Sequence, residues 1–168
     1  MPDEIIRVAT AQAMRGLGKR LATILRAGDL VVLTGPLGAG KTTLAQGIGE
    51  GLGIRGPVTS PTFVIARVHP PLHDGPALVH ADAYRLASPA EIDDLDLDTG
   101  AEERVTVVEW GEGLVEDMAA DRLHITLTMS EPGTDDETRI VRVTGIGERW
   151  ASTAQSMRLA LQGPAEGL

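Results

Sequence analysis

Residues 35–42 constrain this chain more than any other stretch. Gly35-Pro36-Leu37-Gly38-Ala39-Gly40-Lys41-Thr42 matches the pattern G-x-x-x-x-G-K-[ST] in full. Such a loop needs a strand before it and a helix after it. Leu30-Val31-Val32-Leu33, just upstream, is a continuous apolar run of strand length, the kind a parallel sheet buries on both faces. Downstream, a helix is predicted from near Lys41 to Gly51 or Gly53. The residue types have physical reasons. Glycines let backbone N–H groups curl inward around phosphate oxygens, where side chains would block the approach. The following helix adds its own N-terminal donors and dipole. Lys41 is placed to reach β- and γ-phosphates, and Thr42 to offer a hydroxyl to Mg²⁺. Lysine is rare here, only Lys19 and Lys41 against 13 arginines, so one at this position is not incidental. The loop reads as a cradle for a nucleoside triphosphate, with ATP and Mg²⁺ the expected ligands.

The rest of the chain supplies a setting for that loop. Ile5, Ile6 and Val8 suggest an opening strand. A helix follows, with Thr10 as N-cap and Met14, Leu17, Leu21, Ile24 and Leu25 on one face, stopped by Ala27-Gly28-Asp29. Ser60-Pro61-Thr62-Phe63 leads into a strand at 64–66, and 69–76 reads as an exposed hairpin loop. Strands are predicted at 77–81, ending at Asp82, and at 105–108, ending at Glu109. Ser88-Pro89-Ala90-Glu91 is a helix start. Leu123, Ile125 and Leu127 alternate with His124, Thr126 and Thr128, and 140–143 behaves similarly, so both are expected to be half-solvated antiparallel strands. Trp150, Ala154, Met157 and Leu161 fit a last amphipathic helix. The expected architecture is α/β: a P-loop NTPase-like three-layer sandwich with a mixed, mostly parallel central sheet and late antiparallel strands. One domain over 1–162 is expected, with a frayed tail at 163–168.

Composition removes several alternatives. The chain has no cysteine, which excludes disulfides, thiolate chemistry and cysteine-based zinc sites. The formal net charge is −9 and no Lys/Arg cluster stands out, so tight direct binding of DNA or RNA is not expected. No apolar stretch is long enough for a membrane helix. The acidic start Met1-Pro2-Asp3-Glu4 lacks a secretory pattern, and the expected location is the cytoplasm. His69 and His73 are four apart, but Pro70-Pro71 between them rules out a helix and no third zinc ligand is evident. Seven acids fall within 91–103. A calcium loop built on Asp94, Asp96 and Asp98 would need glycine and glutamate where Thr99 and Val105 stand, so a solvated acidic face is the better reading.

Two acids remain as candidates for chemistry. Asp82 and Glu109 each end a predicted strand, and ligands of parallel α/β sheets sit at the carboxyl ends of strands. Either can hold a metal or position water, and either can be a plain loop acid. Ser60-Pro61-Thr62-Phe63 is a segment that can sense a γ-phosphate, or a simple turn. Phe63, Tyr84 and Trp110 flank these candidates; Trp150 is the only other aromatic in the chain.

Taken together, these segments resemble the TsaE (YjeE-type) family of small bacterial ATPases in tRNA threonylcarbamoyladenosine synthesis, over about residues 10–127. The carrying pieces occur in family order: Leu33-Thr34-Gly35-Pro36-Leu37-Gly38-Ala39-Gly40-Lys41-Thr42-Thr43, then Ser60-Pro61-Thr62-Phe63, His80-Ala81-Asp82-Ala83-Tyr84-Arg85-Leu86 and Val108-Glu109-Trp110. The resemblance implies that Gly38, Ala39, Gly40, Lys41, Thr42 and Thr43 hold the ATP phosphates, with Gly35 opening the loop. It implies that Thr42 and Glu109 hold Mg²⁺ and that Asp82 is a catalytic or metal-organising carboxylate. Thr10 would approach the base, Trp110 would lie beside the nucleotide, and 60–63 would switch. The implied partners are TsaB and TsaD, with tRNA reached only through them, and the implied behaviour is slow hydrolysis stimulated by partners. Pro36 stands where the family commonly has aspartate, which removes a carboxylate and an N–H there. Asp82-Ala83-Tyr84-Arg85 departs mildly from the usual D-L-Y-R. Two other readings stay open: a small-molecule kinase, with Arg85 or Arg104 in a lid role, and a nucleotide-gated interaction module without obligatory catalysis.

Overall fold

The apolar run at 30–33 becomes the middle of a sheet. In the computed structural model, which describes residues 2–36, 38–54, 66–72, 75–82, 103–109, 120–129 and 137–162, strand β2 (Leu30–Thr34) is buried on both sides from Leu30 to Leu33. It pairs in parallel with β5 (Arg104–Glu109) on one side and with β6 (Arg122–Met129) on the other. Beyond β5 lies β4 (Ala77–Asp82), parallel to it, and then β3 (Ala66–His69), antiparallel to β4. Beyond β6 lie β7 (Arg139–Ile146) and β1 (Asp3–Val8), each antiparallel to its inner neighbour. The seven described strands thus run β1-β7-β6-β2-β5-β4-β3, a mixed sheet whose four central strands are all parallel.

Alternate residues of the sheet build one core with the helices. Val31, Leu33, Val105, Val107, Leu123, Ile125, Leu127, Val141 and Val143 are buried against α1 (Ala11–Ala22), α2 (Lys41–Leu52) and α4 (Ala154–Gln162). Helices α1 and α2 touch backbone to backbone. A Cβ on Gly18 would sit 2.5 Å from the Leu44 carbonyl oxygen, and one on Gly47 would sit 2.1 Å from the Arg15 carbonyl oxygen. On the other face Val32, Val79 and Val108 are buried as well, whereas Ile5, Thr126 and Thr128 are exposed. The helix expected to start at Ser88 lies outside the described residues, as do 60–65, Tyr84, the acidic stretch 91–102 and the tail after Gln162. None of the described helices is long and apolar enough to cross a membrane.

The strand carrying Leu123, Ile125 and Leu127 is antiparallel to β7, as expected, and on its other side runs parallel to β2. Its alternation reports that one face is buried and one open. Three expectations need correction. Helix α1 stops at Ala22, before Ile24 and Leu25, because the Thr23 hydroxyl donates to the Arg20 carbonyl (2.6 Å) and takes over a helix-end acceptor. Leu25 is still buried. His69 is no loop residue: it ends β3 and is buried. The chain beyond it is tied to the end of α2 by an Ile54–Pro71 bridge and a Leu72 N–H to Gly53 carbonyl bond of 2.8 Å. The last helix is in two pieces, α3 (Glu148–Ala151) and α4, separated at Ser152-Thr153.

Candidate phosphate and metal site

At the carboxyl end of β2 the chain must reverse into α2, and glycine makes that turn possible. Gly38 and Gly40 have φ of +81° and +103°, a region costly for any residue with a Cβ. Gly35 is packed so closely on β6 that a Cβ would meet the Leu127 carbonyl oxygen at 2.6 Å. Gly40 is the N-cap of α2 and supplies no side-chain bond, so the first amides of the helix keep their donors for something else.

Lys41 follows at once and is buried. Its ammonium turns back into the loop and donates to the carbonyls of Gly35 (2.7 Å) and Pro36 (3.0 Å). A buried cation is costly without partners. The loop's own acceptors hold it in place beside the amides of 38–42. Thr42, one residue further, donates its hydroxyl to Glu109 Oε2 at 3.4 Å. Glu109 ends β5 and is only 5% exposed. The same Oε2 lies 2.5 Å from His80 Nε2 on β4, and His80 is fully buried. The register of β4 and β5 puts Asp82 directly opposite Glu109. The end of β5 therefore brings Glu109 to the start of α2, with Asp82 opposite it in register; the side chain of Asp82 lies outside the described residues.

Among the described residues there is no group of three or more His, Asp or Glu that would cage a cation alone. What converges is the Thr42 hydroxyl and the Glu109 carboxylate, with His80 Nε2 on that carboxylate. That matches Mg²⁺, which keeps several waters and takes one or two protein oxygens plus substrate phosphates.

A cleft of about 120 Å³ opens on the same loop. It is lined by Thr10, Met14, Gly38, Thr43, Glu137 and Arg139, among others. Thr10 is fixed there because its hydroxyl caps α1, accepting from the Ala13 N–H at 3.0 Å. Arg139, at the start of β7, donates to the Gly38 carbonyl at 3.3 Å. Thr10, Gly38, Ala39, Gly40 and Thr43 are residues the family resemblance implies at the nucleotide. Glu137 and Arg139 were not readable from the sequence, because they reach the loop only through the β7-β6-β2 order. Leu37, Ser60-Pro61-Thr62-Phe63 and Trp110 lie outside the described residues.

Comparison with known proteins bears on this geometry. A family model described as "Threonylcarbamoyl adenosine biosynthesis protein TsaE" matches residues 8–140. A Streptomyces coelicolor protein named tRNA threonylcarbamoyladenosine biosynthesis protein TsaE is 62% identical over 145 residues, covering 86% of this chain and 98% of that one. A Bacillus subtilis protein of the same name is 33% identical over 153 residues, covering 90% and 91%. The crystal structure of YdiB from Bacillus subtilis superposes with a TM-score of 0.73 at 28% identity, covering 93% of this chain and 94% of that one.

Proposed function

The chain belongs to the TsaE family of tRNA threonylcarbamoyladenosine biosynthesis, and from that premise we propose that it is a Mg²⁺-dependent ATP-binding protein and weak, partner-stimulated ATPase. It works with TsaB and TsaD in the cytoplasm, reaches tRNA only through them, and resets their complex by hydrolysing ATP. The observation that carries this reading is the convergence of a buried Lys41, the Thr42 hydroxyl and the Glu109 carboxylate at one end of the sheet, next to a loop with two left-handed glycines.

Each residue then has a task. The amides of 38–43 take phosphate oxygens, and the Lys41 ammonium exchanges the Gly35 and Pro36 carbonyls for β- and γ-phosphate oxygens. Thr42 and Glu109 would hold Mg²⁺, and Asp82, in register opposite Glu109, would serve as a second metal ligand or position the attacking water. Bound Mg²⁺ neutralises charge developing on the phosphate oxygens. The cleft at Thr10, Thr43 and Arg139 takes the nucleoside. Pro36 lacks the N–H and carboxylate of the family's aspartate, but it precedes the amides of 38–43 that take phosphate, so ATP binding is expected to survive.

The test is release of inorganic phosphate from ATP with Mg²⁺, with and without purified TsaB and TsaD. Strong stimulation by the pair, lost in Lys41→Ala, is expected. Normal ATP binding with no stimulation contradicts the proposal, and phosphate transferred to an added acceptor points to a kinase instead.

A further inference from the structure

His80 enters the sequence reading only as one letter of a motif, yet the structure gives it a distinctive place. It interrupts the apolar strand Leu78-Val79-His80-Ala81 and has no solvent exposure. The parallel register of β4 on β5 sets His80 opposite Val107 and Asp82 opposite Glu109. His80 therefore shares the face of Glu109, one pleat further into the sheet. Its Nε2 meets Glu109 Oε2, the oxygen that also accepts from Thr42. Its Nδ1 is buried and has no hydrogen-bond partner among the described residues.

With the proton on Nε2 the ring donates to Glu109 Oε2, and Nδ1 is then left without a partner among the described residues. Burying an unpaired polar atom is costly, and an aliphatic residue at this position would avoid it. The ring is held in the core for its Nε2 contact. We propose that His80 is a positioning residue for Glu109: its imidazole pins one carboxylate oxygen toward the Thr42 hydroxyl, so that the Mg²⁺ ligands are arranged before nucleotide arrives. Partners behind a metal ligand fix its orientation in this way, and their loss commonly weakens metal binding. The inference rests on the reading of Thr42 and Glu109 as the metal ligands.

Two variants and one measurement on the unaltered protein test it. Glutamine can carry an N–H to the place of Nε2, whereas asparagine is a methylene too short. Nucleotide binding is measured by calorimetry across a series of Mg²⁺ concentrations and without Mg²⁺. His80→Asn is expected to raise the Mg²⁺ concentration for half-maximal effect roughly 10- to 100-fold, with Mg²⁺-free affinity near that of the parent and His80→Gln close to parental throughout. In the unaltered, nucleotide-free protein, ¹⁵N spectra of labelled histidine are expected to show His80 as the Nε2–H tautomer. The Nδ1–H tautomer overturns the inference even if neither variant folds. So does a parental Mg²⁺ profile in His80→Asn while the parent itself is Mg²⁺-sensitive. A parent whose nucleotide binding ignores Mg²⁺ removes the metal reading, and the inference falls with it.

Discussion

Arg149 enters the interior where β7 gives way to the C-terminal helices. Its Nε and Nη2 donate to the two oxygens of Asp29 at 3.1 and 2.9 Å, Nη2 also donates to the Ile24 carbonyl at 2.7 Å, and Nη1 to the Thr153 hydroxyl at 3.3 Å. The guanidinium carbon lies 4.3 Å from the ring centroid of the fully buried Trp150. Both charged side chains are nearly dry, at 7% and 6% exposure. Arg149→Met removes the cation and leaves Asp29 a buried carboxylate, with the Arg26 N–H at 2.8 Å as a remaining donor. Breaking a buried pair from one side costs about 3–5 kcal/mol, because the surviving charge loses its compensation. For a chain of this length each kcal/mol is worth about 2–4 °C, so the melting temperature is expected to fall by roughly 6–20 °C. Urea unfolding followed by circular dichroism should show a lower midpoint at unchanged slope. The same substitution in an Asp29→Leu background should cost much less, since no charge is then stranded. Asp29 precedes the first residue of β2 and the phosphate loop follows its last, so nucleotide affinity should hold. A loss below about 1 kcal/mol, the range of exposed pairs, or simple additivity in the double variant, would refute the reasoning.

Two further outcomes follow from particular contacts. Gly47→Ala gains about 1 kcal/mol of helix propensity but places a methyl 2.1 Å from the Arg15 carbonyl oxygen. Forced separation of α1 and α2 should dominate, with a net loss of about 1–3 kcal/mol by urea titration; net stabilisation would mean the helices do not meet there. The Asp3 carboxyl is held below its ordinary value of 3.8, first by its hydrogen bond from Arg142 and then by that from Thr144. A depressed folded pKa stabilises fully above the unfolded value and is lost as pH falls through the folded one. Stability measured downward from pH 3.8 should therefore fall more steeply in the parent than in Asp3→Asn, and less so in high salt because the pair is exposed. Identical pH profiles would contradict this.

Features set by local sequence were legible. An unbroken apolar run followed by three glycines, lysine and threonine specifies a buried strand, a reversal and a helix, and β2 and α2 fall where those residues place them. Glu109 was readable because an apolar strand ends on it, and Thr10 because a threonine before a periodic apolar pattern caps a helix. What depended on strand order was not. His80 meets Glu109 only because β4 lies parallel to β5 in one register. Arg139 reaches Gly38 only because β7 and β6 stand between β1 and β2. That β6 also runs parallel to β2 is not legible, because alternation of Leu and Thr is the same in either orientation. The early end of α1, closed by i−3 bonds from Thr23 and Ile24 and by the Thr23 hydroxyl, is not legible, because Ile24 and Leu25 continue the apolar spacing beyond it.

The most direct test of the central claim is calorimetric titration of ATP with Mg²⁺ into the parent chain and into Lys41→Ala. Saturable binding by the parent that disappears in the variant is the predicted result, because Lys41 is the buried cation beside the loop amides. Equal affinity in the two proteins, or no binding by the parent, would contradict the account.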